Sequence, residues 1–241
     1  MKRLLDFILS FFGLVILSPI LIPVMILVWL QDFKSPLYIA PRVGKDGTIF
    51  AMVKLRSMVV NADKSGVDST SASDSRITPI GKFIRKFKLD ELTQLWNVLK
   101  GDMSLVGPRP NVIDETALYT LVEKNLLKVR PGITDLSSII FSDEGEILEG
   151  KDDPDLAYNQ LIRPWKSRLG LIYIENQTLV LDISLIFYTV ISIFTKEKVL
   201  VWIESQLRKM EADQELIDIA RRKTDLYPFP PPGSDKIVLT R

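Results

Sequence analysis

From Phe7 to Leu30 the chain runs through 24 residues without a formal charge. A straight helix of that length spans about 36 Å, enough to cross a hydrocarbon core of about 30 Å, so a transmembrane helix is the first expectation. A cleaved signal peptide fits less well. The apolar run exceeds the usual stretch of roughly 7 to 15 residues, and no A-x-A-like site follows it. The segment is expected to stay in the mature protein.

Ser18-Pro19 in the middle of this run, and Pro23 four residues on, complicate a simple span. The N–H groups that would bond the carbonyls of Val15 and Pro19 are both missing, on one face. Broken there, the first arm is about 18 Å long, too short to cross but long enough to enter one leaflet and turn back. The Ser18 hydroxyl can satisfy one freed carbonyl. Lys2 and Arg3 precede the run and Lys34, Arg42 and Lys45 follow it. The positive-inside rule therefore favours both ends in the cytoplasm, which a re-entrant hairpin satisfies and a span does not. On these features alone a Pro-kinked span stays as open as the hairpin.

The remainder reads as an α/β body with mostly helical content. Thr48 to Met58 alternates, with Ile49, Ala51, Val53 and Leu55 on one face and Phe50, Met52, Lys54 and Arg56 on the other, so a strand is expected with Lys54 and Arg56 pointing the same way. Asn61 to Ser75 is polar and Ser-rich, a linker or a lid. Leu92, Leu95, Trp96 and Leu99 follow a helical period between Asp90, a good N-cap, and Gly101, a good stop. Leu179 to Phe194 is strongly apolar but interrupted by Asp182, and reads as a buried or interfacial helix. The end of the chain is a charged amphipathic helix followed by PFPPPG, a polyproline II signal without a core of its own. Three segments are expected: a membrane hairpin over 1–33, a catalytic body over 34–202 and a tail over 203–241.

The chain has no histidine and no cysteine. Imidazole bases, thiol nucleophiles, disulfides and almost all zinc and haem sites are thereby removed, leaving carboxylates, Lys, Arg, Tyr and Ser for catalysis and a hard, oxygen-liganded cation as the metal to expect. A formal net charge of +1 argues against a nucleic-acid partner. Asp-Glu occurs three times, but only Asp90-Glu91 has Arg85 and Lys86 just before it, a helix start under it and Arg109 soon after, clamped between Pro108 and Pro110. A stiff loop presenting Arg suits a bidentate grip on phosphate. An N-cap Asp kept ionised by the helix dipole suits a carboxylate nucleophile, with Glu91 as a cation ligand. The competing reading is an Asp90 that merely caps its helix, in a membrane-tethered scaffold without catalysis.

These residues resemble the bacterial sugar transferases, the monotopic phosphoglycosyl transferases. The resemblance is carried by Ser18-Pro19 in an N-terminal hydrophobic hairpin, KLRSM from Lys54 to Met58, Arg85 five residues before Asp90, LDELTQLWNVLKGDMSLVGPRP from Leu89 to Pro110, and KVRPGIT from Lys128 to Thr134. It covers roughly Met1 to Lys196, and the run from Leu89 is long and specific. Thr93 stands where the family usually has Pro, and Asp135 where it usually has Gly. The resemblance implies a re-entrant helix broken at Ser18-Pro19, and a small sheet with interfacial amphipathic helices forming a catalytic domain on the cytoplasmic face of the bacterial inner membrane. It implies transfer of a sugar phosphate from a nucleoside diphosphate sugar, usually a UDP-sugar, to polyprenyl phosphate, with release of UMP, as the first membrane step of surface glycan assembly. Asp90 matches the nucleophile that forms a covalent phosphosugar intermediate, and Glu91 the Mg²⁺ ligand. Lys54, Arg56, Arg85 and Arg109 are the expected phosphate or nucleotide contacts. An enzyme of the same fold acting on another donor or lipid is the neighbouring reading. The sugar, the oligomeric state and any complex with downstream glycosyltransferases carry no motif.

Overall fold

The computed structural model describes residues 1–66 and 69–240; Val67 and Asp68, within the expected Ser-rich loop, lie outside the described residues. In chain order the elements are α1 (Lys2–Leu30), β1 (Leu37–Val43), β2 (Ile49–Leu55), α2 (Pro79–Lys86), α3 (Leu89–Leu92), α4 (Leu95–Lys100), β3 (Ser104–Val106), α5 (Ile113–Ala117), β4 (Gly132–Thr134), α6 (Leu136–Ile140), α7 (Glu144–Ile147), α8 (Pro154–Leu161), α9 (Arg163–Glu175), α10 (Leu179–Lys209) and α11 (Gln214–Ala220). Helix makes up 56% of the chain, against two small sheets, in line with the helical α/β expectation. β1 and β2 form an antiparallel hairpin, while β3 and β4 pair in parallel.

α1 stays helical through Ser18-Pro19 and Pro23, so the expected break is a loss of hydrogen bonds within one continuous element. The Ser18 hydroxyl donates to the Val15 carbonyl at 2.7 Å, the acceptor that Pro19 orphans. One stripe of α1, Asp6, Ser10, Leu14, Leu17, Leu21, Val24 and Val28, recurs every three or four residues and packs on the body. The opposite face exposes Phe7, Phe11, Phe12, Ile16, Ile20 and Ile26. Both ends of α1 grip the same body. At the start, Arg3 donates to the carbonyl of Leu99 at 2.8 Å and Asp6 accepts from the Ser104 hydroxyl at 2.9 Å. Just past its end, Asp32 pairs with Arg56.

The main core gathers Met52 from the hairpin, Val98 and Met103, Leu136 to Ile140, α9 and both halves of α10 with α11. Ile203, Leu207, Leu216 and Ile217 belong to it, so the boundary expected at residue 202 falls inside a packed helix. α10 kinks at Thr195 (φ −143°, ψ 63°). Before the kink it buries Leu181, Asp182 and Leu185 and exposes Val180, Ile183, Phe187, Val190 and Phe194 at helical spacing, as an interfacial helix would. α1 and α10 are both long and apolar enough to cross a membrane by length and composition.

The helix expected from Leu89 to Gly101 is instead two short pieces, α3 and α4, separated at Thr93-Gln94. The break rotates the faces: Leu95 and Val98 are buried, whereas Trp96 is 53% exposed. Gly101 ends α4 in the left-handed conformation, as its position suggested (φ 96°).

Residues 223–240 form no helix or strand and strap across α9. The Phe229 ring stacks on Trp165 with centroids 4.3 Å apart, and the Arg168 guanidinium lies 4.7 Å from the same ring while donating to the Pro230 carbonyl at 3.0 Å. Gln160 donates to the Val238 carbonyl at 2.7 Å. The strap borrows the core that its own composition lacks. Phe229→Ala should cost about 1–2 kcal/mol, a drop of roughly 2–8 °C in the unfolding midpoint of the full chain. An unchanged midpoint in a thermal scan would show that the strap contributes nothing.

Candidate active site

The site is built where α3 meets the free edge of β2. Asn97 of α4 is fully buried, and its side-chain amide copies a strand: Oδ1 accepts from the Val53 N–H at 2.9 Å and Nδ2 donates to the Ala51 carbonyl at 2.7 Å. The Thr93 hydroxyl lies 3.1 Å from the Val53 carbonyl and 3.2 Å from that of Asp90. Lys54, the next residue of β2, is thereby held beside Asp90 and Glu91 on α3. α2 supplies Arg85, whose Nε donates to the Ser57 hydroxyl at 2.9 Å. Gly81 lets α2 approach this closely, because a Cβ there would sit 1.8 Å from the Ser57 carbonyl oxygen.

Arg109 arrives from the other side. Gly107 and Gly132 cross in contact, a Cβ on Gly132 falling 2.1 Å from the Gly107 nitrogen, and Pro108 and Pro110 fix the chain on both sides of Arg109. Its guanidinium donates to Glu91 Oε1 at 2.5 Å. The other Glu91 oxygen has no partner among the described residues.

Asp90 faces a cleft of about 460 Å³ lined also by Lys54, Arg85, Tyr38, Arg42 and Asn61. The capping role weighed for Asp90 is absent. Lys88 occupies the N-cap position of α3 in a left-handed conformation (φ 52°), no side chain caps the helix, and the Asp90 carboxylate has no hydrogen bond or ion pair among the described residues. Nor do Lys54, Arg85 or Lys88 have a carboxylate within salt-bridge distance among those residues. Four cations thus surround two carboxylates, and only Arg109 and Glu91 are spent on each other.

Burial pushes the Asp90 carboxyl above the usual carboxylate range, with Glu91 adding to the rise while Lys54, Arg85 and Arg109 oppose it. A dipole-stabilised anion was the expectation; α3 has four residues, too few for its dipole to outweigh burial. For Glu91 burial acts the same way, but Arg109, Lys54 and Lys88 outweigh it and hold the group well below its usual range. Burial pulls the Lys54 and Lys88 ammonium groups down.

Arg56 lines the same cleft, with its guanidinium already engaged. It is buried, and its guanidinium grips Asp32 at 2.5 and 2.6 Å while Nε donates to the Ser35 carbonyl at 2.8 Å. That commits it to fixing the end of α1 and leaves Lys54 as the cation of this strand that meets Asp90. Lys88 and Asn97 have no signal of their own in the sequence, and Thr93 stands out there only as a departure from the family's Pro. Asp135, the departure from Gly, is a fully engaged N-cap of α6, accepting from the Ser138 N–H at 2.7 Å. For a divalent cation, Asp90 and one oxygen of Glu91 are the adjacent acidic donors left, with Asp63 on the cleft wall, and no cluster of three or more acidic residues converges among the described residues. That donor set fits a Mg²⁺ completed by ligand phosphates and not a resident cage.

The family model of the bacterial sugar transferases matches residues 1–196. The chain belongs to that family. The chain is 36% identical over 207 residues to an undecaprenyl-phosphate galactose phosphotransferase of Salmonella typhimurium, covering 78% of the chain and 39% of the relative. It is 36% identical over 193 residues to a UDP-glucose:undecaprenyl-phosphate glucose-1-phosphate transferase of Klebsiella pneumoniae, again 78% and 39%. The exopolysaccharide production protein ExoY of Sinorhizobium fredii is 33% identical over 204 residues, 78% of the chain and 83% of that protein. The chain thus spans about two fifths of the length of the first two.

A carboxylate nucleophile acts only when ionised, so if Asp90 serves as one, its raised pKa requires activity present above that pKa and lost as pH falls through it. The acid limb of the pH–rate profile should lie above the ordinary aspartate value of about 4. Turnover that stays flat down to about pH 4 would place no raised group in the rate.

Proposed function

We propose that the chain transfers a sugar phosphate from a UDP-sugar to undecaprenyl phosphate or a similar polyprenyl phosphate, giving polyprenyl diphosphate sugar and UMP and so initiating surface glycan assembly. The observation that carries this reading is the unbonded Asp90 carboxylate among Lys54, Arg85 and Lys88, three cations without carboxylate partners. Excess buried positive charge around a free carboxylate calls for an anionic ligand, and a nucleoside diphosphate supplies about two negative charges. Two of the three relatives carry undecaprenyl phosphate in their names, and one of those also names UDP-glucose.

The chemistry needs no proton transfer, which suits a chain without histidine or cysteine. An Asp90 oxygen attacks the β-phosphorus of the donor in line, the bond from that phosphorus to the bridging oxygen breaks, and its electron pair leaves with UMP. A phosphate oxygen of the polyprenyl phosphate then attacks the same phosphorus, and Asp90 departs as the carboxylate. Lys54 and Arg85 line the cleft on Asp90's side and are placed to hold the nucleotide phosphates. Glu91 would hold Mg²⁺, which supplies charge neutralisation for the diphosphate when bound; Arg109 would exchange its grip on Glu91 for an oxygen of the transferring phosphoryl group as charge develops there in the transition state.

The same proposal puts the body on the cytoplasmic face of the inner membrane. A helix that crossed the bilayer could not have both ends bonded to one polar body, as α1 has. Its exposed face and that of α10 are the apolar surfaces a single leaflet would receive. α1 then enters and returns on one side, with Pro19 and Pro23 marking where its hydrogen-bond ladder is weakest. The scaffold alternative is disfavoured by the missing cap at Asp90.

Asp90→Asn is the decisive variant, because with no cap bond to lose the folding stability should be almost unchanged. UMP release in the presence of donor, Mg²⁺ and polyprenyl phosphate should fall by about a thousandfold or more. Arg109→Lys should retain the fold and lose about tenfold or more, since a point charge cannot replace the fork. A normally active Asp90→Asn protein would remove the nucleophile.

A further inference from the structure

Asp182 interrupts the apolar run of α10 and has no part in the chemistry above, yet it is 2% exposed. Its carboxylate accepts from Lys2 Nζ at 2.6 Å and from the Tyr173 hydroxyl at 2.6 Å. Both donors also reach one further acceptor, the carbonyl of Val106, at 2.9 Å from Lys2 and 3.2 Å from Tyr173. Gln177 completes the knot, donating to the Tyr173 oxygen at 2.7 Å. Four elements meet there: the start of α1, the start of α10, the end of α9 and the last residue of β3.

Val106 is three residues before Arg109, and nothing between them is soft. Gly107 is pinned, its N–H donating to the Thr134 carbonyl at 3.0 Å, and a Cβ on it would lie 2.5 Å from the Arg130 carbonyl oxygen. Pro108 has a fixed φ, and its carbonyl accepts from the Gly132 N–H at 3.0 Å. A shift of the Val106 carbonyl is therefore passed through the stiff Gly107-Pro108 link to Arg109. α1 and α10, which bring Lys2 and Asp182, are also the two helices with exposed apolar faces.

We propose that Lys2, Tyr173 and Asp182 are positioning residues for the reaction, tying the two apolar-faced helices to the loop that presents Arg109. The proposal rests on the transferase reading. The knot acts on the Arg109 side of the site, whereas the cleft for the nucleotide is walled by β1, β2 and α2. Its loss should accordingly appear in kcat and spare the donor KM.

Removing one partner would leave a buried charge unpaired and unfold the chain for a trivial reason, so the test replaces both ions with apolar residues of similar size. Lys2→Met with Asp182→Leu in the full chain should keep membrane partition and unfolding midpoint, and lower kcat by about ten- to hundredfold, with the donor KM within about twofold. Tyr173→Phe, which leaves the ion pair in place and deletes one hydroxyl, should lower kcat by about threefold or more with the same KM, and it decides the question if the double variant does not fold. A double variant or a Tyr173→Phe protein with wild-type kcat overturns the proposal, as does a loss confined to KM. An inactive wild type would instead bring down the transferase reading, so the two failures are distinct.

Discussion

The site depends on the side-chain amide of Asn97 lying along the outer edge of β2. An exposed strand edge offers unpaired N–H and carbonyl groups, and burying them unpaired costs about 1–3 kcal/mol each. Asn97 and Thr93 satisfy three of them, at Ala51 and Val53. α3 and α4 are thereby seated in one register against the strand, which puts Asp90 and Glu91 next to Lys54.

What was legible in the sequence was local and contiguous. The stretch from Leu89 to Pro110 holds its carboxylates, its stop glycine and its proline-clamped arginine within 22 residues, and the structure does converge Asp90, Glu91, Lys54, Arg85 and Arg109. What was not legible is decided by partners far along the chain. Strand alternation assigned Arg56 to the same side as Lys54, but Asp32 and the Ser35 carbonyl claim its guanidinium. The left-handed backbone at Lys88 has no periodic signature. β1 was not foreseen because Pro41 sits within it. The terminal strap was read correctly as lacking a core, yet no pattern in it could announce that Trp165 of α9 would receive Phe229.

The apolar N-terminal segment shows how charge and burial combine. Lys2 and Arg3 read as flanking positive charges, and the structure spends both on the body, Lys2 on Asp182 and Arg3 on the carbonyls that end α4. Asp6 is likewise buried against β3. These contacts make the start of α1 part of the catalytic body, while its outer face and that of α10 remain apolar.

The central claim is that Asp90 carries the sugar phosphate between donor and acceptor. Mass spectrometry of the protein incubated with a UDP-sugar and Mg²⁺, without any lipid acceptor, tests it most directly. The account predicts a single equivalent of UMP released and a sugar-phosphate adduct on the peptide that bears Asp90, discharged when polyprenyl phosphate is added. UMP that forms only when donor and lipid are both present, with no adduct on any peptide, would contradict it.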